Sequence, residues 1–185
     1  MSDVTQLLRA HGAGDADAVN RLMPLLYDDL RRIARIQLRR RGTQDSLDTG
    51  GLVHEAYLRL VDQSRATWHD RGHFLAVAAI AMRHIAVDHI RRRLRAKRGG
   101  GAVESLDSAQ AARDDWGRIL EVDMALQRLE AVDPRMARIV ECRYFAGLSE
   151  EESAQALGVS LRTAQREWYK ARAWLRAELG GSERR

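Results

Sequence analysis

A single cysteine, Cys142, excludes an intramolecular disulfide and fits a reducing compartment. Set among Ile139, Val140 and Tyr144, it reads as a buried, inert thiol. Long apolar runs are missing too: the longest, Phe74 to Met82, covers nine residues, well short of a membrane span. The first residues, MSDVTQLLRAHGAGDADA, lack the basic start and apolar core of a signal peptide, so a cytoplasmic protein is expected. No segment keeps strand periodicity beyond a few residues and no internal repeat is present, which leaves an all-α chain. His54-Glu55 lacks the second histidine of HExxH, and His69 and His73, four apart, have no third ligand nearby. No catalytic residue, no metal and no cofactor are expected.

What is abundant is arginine. Lys97 and Lys170 are the only lysines among 31 basic residues, and the formal charge is +5 with a pI near 10.0. Such a balance favours a polyanionic partner, although a GC-rich genome produces the same arginine bias. The charge is unevenly spread: +6 over residues 1–97, −2 over 98–117 and +1 over 118–185. The middle segment opens on Arg98-Gly99-Gly100-Gly101 and has no apolar periodicity, as expected of a flexible linker. The expected architecture is therefore two small helical domains, 1–97 and 118–185, joined by that linker.

In the first domain, helices are expected over Val4 to Gly12 and from Asp15 or Asp17 to about Arg41, where Pro24 suggests a kink or restart near Met23. A third runs from Gly50 to Gln63, capped by Thr49, and a fourth from His73 to Lys97. The fourth begins almost wholly apolar (FLAVAAIAM) and ends basic (HIRRRLRAKR), which suits a core anchor extended by a nucleic-acid face. The second domain opens with a helix from Gly117 to Ala131, and Asp133-Pro134 starts another that Gly147 stops.

The most informative stretch is Leu148 to Leu179. Ser149 and Glu152 have capping-box spacing, Gly158 supplies a left-handed turn, and Ser160 caps a second helix. On that helix Ala164, Trp168, Ala171 and Leu175 mark a buried face. Arg162, Gln165, Arg166 and Tyr169 fall opposite, and residues of these types reach base edges and phosphates in a major groove. This is a helix-turn-helix pattern.

Two blocks carry a family resemblance. GLVHEAYLRLVDQ (Gly51 to Gln63), followed by GHFLAVAAIAMRHIAVDHIRRR (Gly72 to Arg93), resembles the second conserved region of bacterial sigma factors. Arg135 to Leu179 resembles their fourth region, and the short two-block chain is similar to the extracytoplasmic-function subgroup. The resemblance implies a promoter-specificity subunit that brings core RNA polymerase to promoter DNA and helps open the minus-ten element, with no enzymatic activity of its own. It assigns core binding to Thr49, His54, Glu55, Leu58 and Arg59. Downstream-element contacts, to duplex and opened strand, fall on Trp68, His69, Arg71, Arg83, His84, His89, Arg91, Arg92 and Arg93. Upstream-element contacts fall on Ser160, Arg162, Thr163, Gln165, Arg166 and Tyr169. The subgroup also admits an anti-sigma factor as a partner, which the sequence does not identify.

The chain departs from the family pattern at Ser153 and Ala164, where larger aliphatic residues are usual. An ordinary helix-turn-helix regulator is the alternative, but it leaves the first domain unexplained. A small helical enzyme built on histidine–carboxylate pairs is a third.

Overall fold

The computed structural model describes residues 3–15, 17–39, 48–62, 70–98 and 106–182. Among these residues every regular element is helical. The first helix, α1 (Asp3–Gly12), turns through Gly14 (φ +100°) into α2 (Ala18–Arg39). Leu22, Leu26, Leu30 and Ile33 of α2 are at most 1% exposed, so the helical spacing of apolar residues translates directly into one buried stripe. Each such side chain contributes about 1.5–3 kcal/mol by leaving water. The restart expected near Met23 does not occur, and α2 passes through Pro24 unbroken. Pro24 and Asn20 are both exposed, so water can satisfy the Asn20 carbonyl that the missing N–H leaves free.

Helix α3 (Thr49–Asp62) is capped by Asp48, not by Thr49. The Asp48 carboxylate accepts from the Gly51 N–H at 2.6 Å, which places Thr49 inside the first turn. Asp70 plays the same part for α4 (Arg71–Arg98), accepting from the His73 N–H at 2.8 Å. Helix α4 is the central element of the fold. Phe74, Leu75, Ala78, Ala79, Met82, Ile85, Ala86 and Ile90 are all essentially buried. By length and composition Arg71–Ala96 could cross a membrane, yet 61% of its most apolar window is buried inside the protein. Its apolar surface already has a partner.

The next helix, α5 (Leu106–Val132), starts well before the expected Gly117. The second part of the segment expected as a linker, residues 106–117, is thus helical, and Trp116 is buried. Of the remainder of that segment, Arg98 ends α4, and 99–105 lies outside the described residues. Helix α6 (Pro134–Val140) begins as expected, with the Asp133 carboxylate accepting from the Arg135 and Met136 N–H groups. It then widens into a π-helical turn (Glu141–Phe145), a feature with no signal in the sequence. Gly147 (φ +66°) redirects the chain into α7 (Glu150–Ala156), and α8 (Leu161–Ser182) closes the fold.

The two halves pack against each other. Helix α4 touches the π turn and α7, and α2 touches the π turn. A Cβ placed on Gly72 would sit 3.3 Å from the Ala156 methyl, and Arg32 donates to the Gly147 carbonyl at 3.2 Å. One apolar cluster runs from Leu8 to Ala171 through both halves.

Candidate nucleic-acid interface

The helix-turn-helix is assembled by short-range hydrogen bonds. Ser149 Oγ accepts from the Glu152 N–H at 3.1 Å, and Glu152 Oε2 accepts from the Ser149 N–H at 2.8 Å, a complete capping box. Its own backbone N–H, with the Ser149 hydroxyl, holds the Glu151 carboxyl below its ordinary range. Gly158, at φ +63°, makes the turn, and the Val159 N–H closes it on the Ala154 carbonyl at 3.0 Å. Ser160 then caps α8 by accepting from the Thr163 N–H at 3.2 Å, with the two hydroxyls 2.9 Å apart. Ser160 and Thr163, both assigned to DNA by resemblance, are thus also engaged in the cap.

Ala164 and Ala171 of α8 are buried, and Trp168 and Leu175 pack half-buried against the core. The guanidinium carbons of Arg143 and Arg172 each lie 5.7 Å from the Trp168 ring. Ser153 on α7 is fully buried, and its hydroxyl has no hydrogen-bond partner among the described residues.

Arg162, Gln165, Arg166 and Tyr169 stand exposed on one side of α8, Tyr169 at 77%. Gln165 donates to Glu150 Oε2 of α7 at 2.7 Å, a contact it must exchange to reach a base. Glu167 went unnoticed in the sequence. It is buried, and its Oε1 lies 3.1 Å from Arg166 Nε and 3.5 Å from Lys170 Nζ. It therefore steadies two cations at the edge of the exposed face. The signal was available, because 164, 167, 168 and 171 form an i, i+3, i+4, i+7 set.

The residues of α4 assigned to the downstream element divide sharply. Arg83 is buried at 5% exposure; it pairs through Nη1 with Asp123 of α5 and through Nη2 with Glu141 of the π turn at 3.1 Å. A surface contact with DNA is therefore closed to Arg83 in this conformation, contrary to the sequence expectation. His84 is exposed, and its Nε2 lies 3.1 Å from Arg83 Nη2. Partial desolvation, and then the Arg83 charge, lower its pKa from the ordinary value. Arg91 reaches Asp123 Oδ2 at 3.4 Å, and the Arg93 guanidinium lies 5.8 Å from the Trp116 ring. Arg92 is exposed, and its Nε donates to the Asp88 carbonyl at 3.3 Å; His89 is half-buried. Arg71, two residues ahead of the helix start expected at His73, is the first residue of α4 and pairs with Asp29 at 2.6 Å. Trp68 and His69 lie outside the described residues.

The face of α3 assigned to core polymerase carries exposed His54 and Leu58, with Thr49 half-buried at its start. Glu55 lies 3.6 Å from Arg59, which also reaches Asp88 of α4 at 3.5 Å. Among the described residues no group of three or more His, Cys, Asp or Glu is placed to hold a metal.

A family profile described as "ECF sigma factor" matches residues 1–181. No curated protein matches the chain. A similar solved structure is "Structure of CnrH in complex with the cytosolic domain of CnrY", at 19% identity, covering 97% of this chain and 99% of that one, with a TM-score of 0.43. At that distance no residue role or partner is carried from one to the other.

Proposed function

Because the chain belongs to the ECF sigma factor family, and so is a promoter-specificity subunit of RNA polymerase, we propose how its surfaces divide that work. Helix α8 reads the upstream element through Arg162, Gln165, Arg166 and Tyr169, with Ser160 and Thr163 at its start. The observation that carries this is the exposed row on α8, backed by a capped α7 and a buried opposite face. Arg and Gln there can form paired hydrogen bonds to guanine and adenine edges.

The basic end of α4, with Arg91, Arg92 and Arg93, engages the downstream element, aided by Trp68, His69 and Arg71 at its approach. Phosphate contacts from such a cluster fix position without reading sequence. His84 is already exposed beside this surface, and Arg83 and His89 join it once α4 separates from α5. The α3 face of His54, Glu55, Leu58 and Arg59, with Thr49 at its start, docks on core polymerase, Leu58 offering an apolar contact amid charge. On this reading the functional units are residues 1–97 and 118–185, the protein works in the cytoplasm with polymerase, and it performs no catalysis itself. An anti-sigma protein would compete for the same surfaces.

Reconstitution with core polymerase tests the assignment. Arg166→Ala is expected to reduce use of the upstream element while core affinity stays intact, and Glu55→Ala to do the reverse. Equal loss of core affinity in both variants would remove the division of labour.

A further inference from the structure

Leu161 is the first residue of α8 and follows the Ser160 cap directly. It is 39% exposed, and among the described residues it and Tyr169 are the large apolar side chains that α8 leaves in solvent. The core has no use for it. Leu161 belongs neither to the buried apolar cluster nor to the half-buried side chains packed against that cluster. Val159, two positions earlier, is one of those packed side chains, so the entry of the helix is already secured by an apolar residue ahead of the cap. The Ser160 hydroxyl accepts from the Thr163 N–H at 3.2 Å, and the Ser160 carbonyl from the Ala164 N–H at 3.0 Å. The first turn of α8 is thereby fixed, and it holds Leu161 on a rigid end.

Leu161, Gln165 and Tyr169 recur every fourth residue and form one ridge of the helix surface, while Arg162, Arg166 and Lys170 form the next. All six are exposed. The second ridge is wholly cationic and suits phosphate and guanine. The first has no basic or acidic side chain; it presents an apolar tip, then an amide, then a phenol. In a recognition helix the N-terminal residues are the ones that reach base edges. Among those edges the major groove displays one apolar group, the C5 methyl of thymine. A leucine has neither donor nor acceptor in its side chain, so at the leading end of this ridge it complements that methyl and nothing else on the bases.

We propose that Leu161 reads a thymine of the upstream element through its C5 methyl, as a specificity-determining residue beside the polar side chains of α8. The proposal rests on the reading of α8 as the upstream-element surface. Contact between the two apolar groups removes both from water and separates thymine from cytosine without any hydrogen bond. Gln165, one turn on, can pair with adenine, so the ridge as a whole favours A·T pairs.

The test uses polymerase holoenzyme reconstituted with the full chain, on a promoter defined by the transcript start sites that appear when the protein is overproduced. Each thymine of the upstream element, on either strand, is replaced in turn by uracil, which removes the methyl and keeps the pairing. With the unaltered protein, transcription is expected to fall about fourfold at one position, the worth of burying one methyl group. Leu161→Ala is expected to lower transcription from the thymine template by a similar factor and to be indifferent to uracil at that position, because the two changes remove the same contact. Leu161→Met, which keeps an apolar reach, is expected to retain most of the thymine preference. Since Leu161 lies outside the core, the melting midpoint of each variant is expected to stay unchanged.

Losses that multiply independently at every position overturn the proposal, as does an upstream element with no thymine on either strand. A loss in Leu161→Ala that is equal on all templates and accompanied by weaker binding to core polymerase gives the side chain to a protein contact instead, and also overturns it. The underlying reading is judged by Arg166→Ala. If that variant uses the upstream element normally, the assignment of α8 fails; if it is impaired while Leu161 shows no coupling to the methyl, only the thymine contact fails.

Discussion

Arg71 Nη2 lies 2.6 Å from Asp29 Oδ2, and Nη1 of the same guanidinium lies 3.8 Å from Glu152 Oε1. One side chain thereby ties the start of α4 to α2 and to the first helix of the helix-turn-helix. The groups are partly exposed, so the tie is weak in energy, about 0.2–1 kcal/mol. Its effect should be local. Arg71→Ala is expected to speed amide exchange in α7 while shifting the urea midpoint only slightly. Unchanged exchange in α7 would show that the contact carries no docking role.

Gly147 and Gly158 share the left-handed backbone, at φ +66° and +63°, but not their surroundings. A Cβ on Gly147 would stand 2.9 Å from Ile36 Cδ1 and 3.0 Å from Arg32 Nη1, whereas none of the atoms around Gly158 comes within 4 Å of such a Cβ. Gly158→Ala should cost roughly 1–2 kcal/mol of backbone strain. Gly147→Ala should cost about 1–3 kcal/mol more, the usual range for overpacking. Urea melts of the two variants check the order, and equal losses would mean that α2 yields freely at this point.

The capping box at α7 isolates one hydrogen-bonding group. Ser149→Ala is expected to cost about 1 kcal/mol, and Ser149→Asp to retain most of the stability. Upstream-element affinity should fall with helix stability, and core binding should not. Circular dichroism melts and a duplex-binding assay with reconstituted polymerase measure the two effects.

Burial pushes the Cys142 thiol up to about 12, with the neighbouring Glu141 charge adding to the shift. Against an ordinary value of 9.0, the thiolate fraction at pH 8 falls by about a thousandfold. The folded protein should therefore resist iodoacetamide at that pH and react promptly in urea. Fast labelling of the native chain would place Cys142 at an opening in the seam.

The helix-turn-helix was legible because its determinants are local. Ser149, Glu152, Gly158 and Ser160 act within four residues of the groups they bind, so their spacing already describes the geometry. The cap of α3 was misread because Asp48 and Thr49 are adjacent and both residue types cap well. The start of α5 was missed because residues 106–115 hold few large apolar side chains, and helical periodicity shows only from Trp116 onward. Arg83 escaped for a different reason. Its partners lie 40 and 58 positions away, and an arginine in a basic helix gives no local sign that two acids will converge on it. The π turn has the same tertiary character, since it lets Glu141 and Phe145 approach one guanidinium together.

Helix α4 runs without interruption from its buried apolar beginning to its arginine-rich end. At 28 residues it is a rod of roughly 40 Å. A stiff rod gripped along one half behaves as a lever. A tilt of about ten degrees at the gripped half would carry the basic tip several ångströms, a reach comparable with the spacing between successive phosphates. If the basic end of α4 holds promoter DNA as proposed, small repacking around Phe74 and Met82 would be felt as a change of register on the nucleic acid, far from where the repacking took place.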